Sequence, residues 1–281
     1  MMNNPIHFTD ERFDPQNSGN CHLFIHLDAN SCAYAIVDKN TDRLDVLFKK
    51  HFTLGINDFS ALNRLENLKT DHQNLNLPFR KVKISVETKA FTFVPEPLFS
   101  SDDLPNYSKF MGAVPESTLL NSDISALGIK NIFAIEPDLA SMLHNTFADP
   151  LIVSKANPLI SGIYRLLEKG NYGELFLNFN HNSFEAVVIQ NNALVFYNSF
   201  DISDADEFNY FVLNLISQLN LSRSQAVTLS GEISRNNDLY VRLQKYFDYI
   251  SFAEAELISS MPENQLVPHQ FFSLLSLDLC E

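Results

Sequence analysis

The sequence predicts an α/β protein in which one β-β-β-α-β-α unit is written twice. Three observations predict it. The segment LFIHLDANSCAYAIV (Leu23–Val37) returns as LFLNFNHNSFEAVVI (Leu175–Ile189), 152 positions later. Each copy opens on Leu-Phe, carries Asn-Ser seven residues on, and resumes an apolar run. After each copy a third strand-like segment, a helix-period segment and a further strand follow in the same order. A chain of 281 residues suits two domains, and 45% hydrophobic residues with 24 Phe can fill two aromatic-rich cores. The predicted division is an N-terminal arm over 1–20, a first domain over 21–155 and a second over 156–281.

The arm is polar and ends in the turn-rich DPQNSGN. Three strands are then expected at His22–Leu27, Cys32–Asp38 and Arg43–Phe52, joined at DANS and KNTD. His22, Phe24 and His26 share one face of the first strand because side chains alternate. Two histidines so spaced could hold a metal, but no third ligand lies nearby, so they read as satisfied sheet histidines. A helix over Asn57–Leu68 would present Phe59, Leu62, Leu65 and Leu68 on one face, capped by Asn57 or Asp58. A polar loop over Lys69–Pro78 leads to the strand RKVKISVE, and FTFVPEPLFS reads as a short strand ended by prolines. A helix around Tyr107–Met111, a strand ending near Ile135 and a helix from Pro137 complete this half; proline suits a first helical turn.

LIVS and a helix over Pro158–Lys169, closed by Gly170, join the halves. The pattern then restarts with strands at Glu174–Phe179, Phe184–Gln190 and Ala193–Phe200. Ser203, with Asp206 three residues on, resembles a capping box opening a helix with Phe208, Phe211, Val212, Leu215 and Leu219 on its apolar face. A strand over Gln225–Ser234, a helix over Asn237–Phe247, the strand YISFAE and a closing helix in HQFFSLLSLDLC follow. VKISV begins 59 residues after Leu23 and VTLSG 52 after Leu175, a difference assigned to a longer loop after Leu68.

Twenty Lys and Arg against 34 Asp and Glu give a net charge of −14, which repels phosphate backbones and anionic lipid. Nucleic acid and membrane surfaces are therefore not expected partners. The cysteines, Cys21, Cys32 and Cys280, show no CxxC spacing and fit neither a disulfide framework nor a zinc site. The first twenty residues have no basic-then-apolar leader pattern, and no apolar run is long enough to span a bilayer. A cytoplasmic protein is expected.

The doubled unit resembles the actin-like ATPase superfold, in which two ribonuclease-H-like domains with mixed β-sheets flanked by helices stand in tandem. LFIHLDANSCAYAIV and SVETKAFTFVPEPLF are similar to segments of an uncharacterised Bacteroidetes family with this fold. The resemblance spans nearly the whole chain after the arm. It implies two hairpin turns facing each other across a cleft, each with Asp-x-Gly holding nucleotide phosphate, and a glycine pair at an adenosine turn.

Placed on that frame, Asp28 stands at the first acidic position, followed by Ala29, and Asn30 replaces glycine ahead of Ser31. In the second turn Asn180 replaces the acid and Asn182 the glycine, before Ser183. Ser230 and Gly231 remain at the adenosine turn, with Glu232 in place of a second glycine; Glu87 is the candidate to position water. Asparagine tolerates a left-handed backbone better than most residues, so it could keep the turn shape without glycine. Phosphoryl transfer needs carboxylate ligands and close backbone donors, so the nine residues Asp28, Asn30, Ser31, Glu87, Asn180, Asn182, Ser183, Ser230 and Gly231 read as a degenerate nucleotide site with no catalytic or metal-binding group.

No GxxxxGK[ST], GxGxxG or GxSxG pattern occurs. The expected function is that of a non-catalytic actin-like protein that binds a protein partner and needs no cofactor. The alternative is a divergent ATPase or kinase binding Mg-ATP in the cleft. A ribonuclease-H-like nuclease would need several acids around two metals, which the charge pattern does not supply.

Overall fold

The structure, a computed structural model, describes residues 5–28, 30–52, 61–170, 173–254 and 266–281. The chain divides into two units. The first runs to Leu159 and takes in Leu274–Glu281; the second runs from Ile160 and includes Leu266–Ser273.

In the first unit the elements are β1 (Ile6–Thr9), β2 (Cys21–Leu27), β3 (Ser31–Asp38), β4 (Arg43–His51), α1 (Ala61–Asp71), β5 (Lys81–Val86), β6 (Phe91–Pro95), α2 (Leu104–Met111), β7 (Thr118–Ile124), β8 (Ile129–Ile135), α3 (Pro137–Thr146) and β9 (Leu151–Ser154). Helix α4 (Ala156–Glu168) carries the chain into the second unit, and Gly170, at φ 76°, ends that passage as expected. The second unit holds β10 (Leu175–Phe179), β11 (Ser183–Gln190), β12 (Ala193–Asp201), α5 (Ala205–Gln218), β13 (Ala226–Gly231), α6 (Asp238–Leu243) and β14 (Tyr249–Phe252).

The two main sheets have the order β1-β4-β3-β2-β5-β9 and β12-β11-β10-β13-β14. Without β1 these are the same sheet. β2 and β10 are the inner strands, each antiparallel to the next strand and parallel to the one after the helix. Apart from the half-buried His22, both are buried on both faces, as in a strand covered above and below. The hairpins also share an irregularity: the β3–β4 register shifts between Ile36 and Val37, and the β11–β12 register between Val188 and Ile189. These positions differ by the same 152 residues that separate the sequence repeats.

Each sheet has its own core. Leu65 and Leu68 of α1, with Leu139 and Leu143 of α3, close over Leu23, Ile25, Tyr34 and Ile84. The expected caps Asn57 and Asp58, with Phe59, lie outside the described residues, as does the side chain of Leu62. In the second unit Phe179, Phe184 and Phe208 form a buried aromatic cluster, with ring centroids 5.1–6.0 Å apart. Such ring pairs add about 1 kcal/mol each beyond area burial.

The structure departs from the sequence expectation in four places. The polar arm contains β1, which pairs antiparallel with β4 from Ile6↔Lys49 to Thr9↔Val46; a four-residue alternation is too short to read in a polar context. β7, unforeseen because Asn121 and Asp123 break its apolar run, joins β6 and β8 in a small sheet of order β6-β8-β7. Among the described residues this insert has no counterpart in the second unit. Much of the polar loop expected over Lys69–Pro78 is the end of α1 and a tight turn at Gln73–Asn76. Finally, α5 is capped one residue later than expected. Asp204 accepts from the N–H groups of Asp206 and Glu207, and Glu207 reaches back to Ser203. The capping logic is the expected one; the capping residue is Asp204 rather than Ser203.

The insert is tied to the main sheet by a buried polar trio. Asn131 of β8 donates to Ser154 and to Asn157 Oδ1 (2.7 Å), and Asn157 donates to the carbonyl of Asp123 in β7. The C-terminal residues lie against the same unit. Buried Lys83 donates to the carbonyls of Asp278 (2.8 Å) and Cys280 (2.6 Å), and Lys39 to the Asp278 carboxylate. All three cysteines are buried free thiols.

His22 lies beside this tail, its Nδ1 without a hydrogen bond and 3.9 Å from Asp278 Oδ1. Burial, then the nearby Lys83 charge, push its pKa from 6.5 down to about 4, against the pull of Asp278. The unfolded chain thus binds a proton that the folded chain refuses. The stability tied to a neutral His22 is full above pH 6.5 and falls away as pH drops toward 4. In urea titrations the wild-type midpoint should decline across that window, and His22→Gln should flatten the decline. A slope unchanged by the substitution would show that His22 is not its source.

Candidate functional site

The carboxyl ends of β2 and β5 bring Asp28, Asn30 and Ser31 together in one turn, with Glu87 beside it. The Asp28 N–H donates to the Ser31 carbonyl, and Phe52 N–H to the Asn30 carbonyl. Asp28 Oδ1 accepts from Ser31 N–H (3.0 Å) and Ser31 Oγ (3.1 Å), with Oδ2 3.0 Å from the same hydroxyl. The aspartate therefore caps its own turn. Glu87 N–H donates to the Leu27 carbonyl, which fixes Glu87 just past the end of β5.

Two side chains that the sequence reading did not assign to the site complete it. Lys155, at the end of β9 and buried, places its ammonium 3.7 Å from Asp28 Oδ2. His26 Nε2 lies 3.5 Å from the same oxygen, and its Nδ1 is 2.7 Å from Ser85 Oγ. Burial works to raise the Asp28 pKa. Lys155 first, then His26 and Lys49, outweigh it and hold the carboxyl far below the usual carboxylate range. Asp28 is therefore a permanent anion facing a resident lysine.

The second unit repeats this framework with different chemistry. Asn180 N–H donates to the Ser183 carbonyl and Ile202 N–H to the Asn182 carbonyl, matching the bonds of Asp28 and Phe52. Asn180 Nδ2 donates to Ser183 Oγ at 3.3 Å. Ser230 Oγ donates to Asn178 Oδ1 at 2.8 Å, the counterpart of the Ser85–His26 bridge between the same two strands. Glu185, buried, accepts from Asn178 Nδ2 (2.6 Å), Asn180 Nδ2 (3.3 Å) and the Tyr197 hydroxyl (3.0 Å). Three neutral donors satisfy this carboxylate, where a lysine faces Asp28 in the first unit.

One detail corrects the sequence reading and one adds to it. Asn182 was expected to replace glycine through a left-handed backbone, yet it is absent from the residues with positive φ. Among the described residues the left-handed asparagines are Asn191 and Asn192, at φ 51° and 59° in the tight β11–β12 turn, and Asn220, at φ 51°. Gly231 does have a positive φ, 80°, for a packing reason. A Cβ there would lie 2.0 Å from the Phe179 carbonyl oxygen and 2.9 Å from Asn178 Oδ1. Glu232 N–H bonds to that same Phe179 carbonyl, as Glu87 does to Leu27.

His26 and Ser85 were legible in principle, since the repeat offset sets His26 over Asn178 and the parallel register sets each beside a serine. Lys155 had no such signal. Among the described residues no group of three or more His, Cys, Asp or Glu is arranged to hold a metal.

The family described as "Protein of unknown function (DUF3822)" matches residues 10–250. No curated protein matches the chain. Among solved structures, a Bacteroides thetaiotaomicron protein with an actin-like ATPase fold and unknown function is similar, at 18% identity and a TM-score of 0.78. The match covers 96% of this chain and 99% of that one. A chain of the PilM–PilN type IV pilus biogenesis complex is 13% identical with a TM-score of 0.62, over 92% of this chain and 97% of that one. The fold is thus the actin-like ATPase fold, with ribonuclease-H-like halves in tandem, as the repeated hairpins implied.

Removing the lysine should leave the half-buried Asp28 carboxylate without its main partner. Lys155→Met is expected to cost about 3 kcal/mol, toward the low end for a broken buried pair because Asp28 keeps Ser31. Adding Asp28→Asn should recover most of that loss, and a double-mutant cycle by urea denaturation measures the coupling. Gly231→Ala should cost more than about 3 kcal/mol, since strain and a backbone clash combine there. Gly128→Ala, at φ 59° with open space around it, should cost only about 1 kcal/mol. Equal costs at the two glycines would remove the close-approach argument.

Proposed function

The chain belongs to the DUF3822 family of proteins of unknown function, and we propose that it acts as a non-catalytic actin-like protein that binds a protein partner. One observation carries the reading. Asp28, the carboxylate that would order a metal's water shell, already faces Lys155 and is folded onto Ser31. A resident ammonium opposes a divalent cation by simple repulsion, and the cation would have to displace both contacts. The second turn offers amides where a second acid would help, and Asn178, Asn180 and Glu185 are occupied with one another. These residues do not fit a metal-bound nucleotide phosphate.

The partner half of the proposal draws on the fold relative found in the PilM–PilN assembly, which is a complex of proteins. In this reading the protein works in the cytoplasm and uses no cofactor. Nucleic acid is not its ligand, consistent with a net charge of −14. No described helix is long and apolar enough to cross a membrane.

Calorimetry and thermal shift with ATP, ADP and magnesium test the site directly. The expected result is no magnesium-dependent binding and no stabilisation at millimolar nucleotide. Micromolar, magnesium-dependent binding that disappears in Asp28→Ala, with the fold intact, would restore the ATPase or kinase reading.

A further inference from the structure

The two units handle the same sheet edge differently. In the first, β1 covers the outer side of β4, and Leu44, Asp45, Val46, Leu47 and Phe48 are all buried. In the second, β12 holds the place of β4, and no described strand pairs with its outer side. The register sets Leu194 where Leu44 stands and Phe196 where Val46 stands. None of residues 194–198 is buried, and Val195 is 54% exposed.

Exposed edge strands normally carry a charge, a proline or a covering segment that prevents pairing. From Ala193 to Phe200 the strand ALVFYNSF has neither charge nor proline. The apolar surface continues onto α5. Phe211 meets Phe200 at 4.8 Å between ring centroids, and beside it Tyr210 is 61% exposed, with Leu213 one turn on.

We propose that the protein self-associates by antiparallel pairing of β12 with β12 of a second copy. The first unit shows that this edge of the sheet accepts an antiparallel strand. The strand also suits its own copy. Pairing centred on Tyr197 sets Leu194 opposite Phe200, Val195 opposite Ser199 and Ala193 opposite Asp201, so no like charges meet. Elsewhere two copies of a chain with net charge −14 repel, and the uncharged strand is where they approach at least cost. A two-fold pair closes on itself and leaves neither β12 edge open. This goes beyond partner binding and does not depend on it.

The test is sedimentation velocity from micromolar to hundreds of micromolar protein. The wild type should be a dimer. Val195→Lys combined with Ser199→Lys sets lysine opposite lysine twice and should weaken the dimer about tenfold or more. Val195→Glu combined with Ser199→Lys sets opposite charges across the same pairs and should restore it. Both positions are exposed, and circular dichroism checks that each variant folds. A monomeric wild type, a dimer that survives the two lysines, or a loss that the charge swap fails to restore would overturn the proposal. In the first of these cases the edge would be left for a strand from a different protein.

Discussion

A polar side chain on a strand covered on both faces and both edges has no water to turn to, so its partner must lie within the sheet. β2 and β10 are such strands, and each carries one polar residue near its carboxyl end, His26 or Asn178. A serine on the parallel neighbour meets each, Ser85 or Ser230, at 2.7 and 2.8 Å. An unsatisfied group there would cost on the order of 1–3 kcal/mol. These bridges set the register at the strand ends, and the register places the turns that follow. Asp28 and Asn180 stand where they do because the bridges two residues earlier hold their strands in line.

What each unit does with that geometry depends on charge. His26 links Ser85 to Asp28, and Lys155 supplies the positive charge that keeps the carboxylate ionised. In the second unit amides take the places of histidine and aspartate. Glu185 then enters from the next strand and is satisfied by Asn178, Asn180 and Tyr197. A buried charge needs a counter-charge or several donors, and the two units use one solution each. Either way the polar ends of the central strands are occupied from within.

The same repeated sheet also accounts for the asymmetries. β1 pairs with the outer side of β4, whereas no described strand pairs with that side of β12; residues 44–48 of β4 are buried and none of residues 194–198 of β12 is. The insert of β6, β7 and β8 is tied to the rest of the first unit through Asn131, Ser154 and Asn157, a buried bonded set. Lys83 and the C-terminal carbonyls hold the tail in the same manner.

The repeated hairpins, the order of their elements and the Asn-Ser pair in both turns were determined by the sequence itself, because strand alternation and turn chemistry act over a few residues. The short β1, the interrupted β7 and the shift of the α5 cap to Asp204 were local too, but their signals were too brief to separate from polar surroundings. Lys155 is another matter. It follows Asp28 by 127 positions, and nothing in LIVSKANP marks the lysine as a counter-ion. Only the parallel pairing of β5 with β9 brings it to the carboxylate. Gly231, read from the sequence as part of a ligand turn, also has a packing role that only the approach of the Phe179 carbonyl reveals. Local patterning sets which strands form, whereas contacts between distant strands set which charges meet. The state of Asp28 was therefore decided by the tertiary structure.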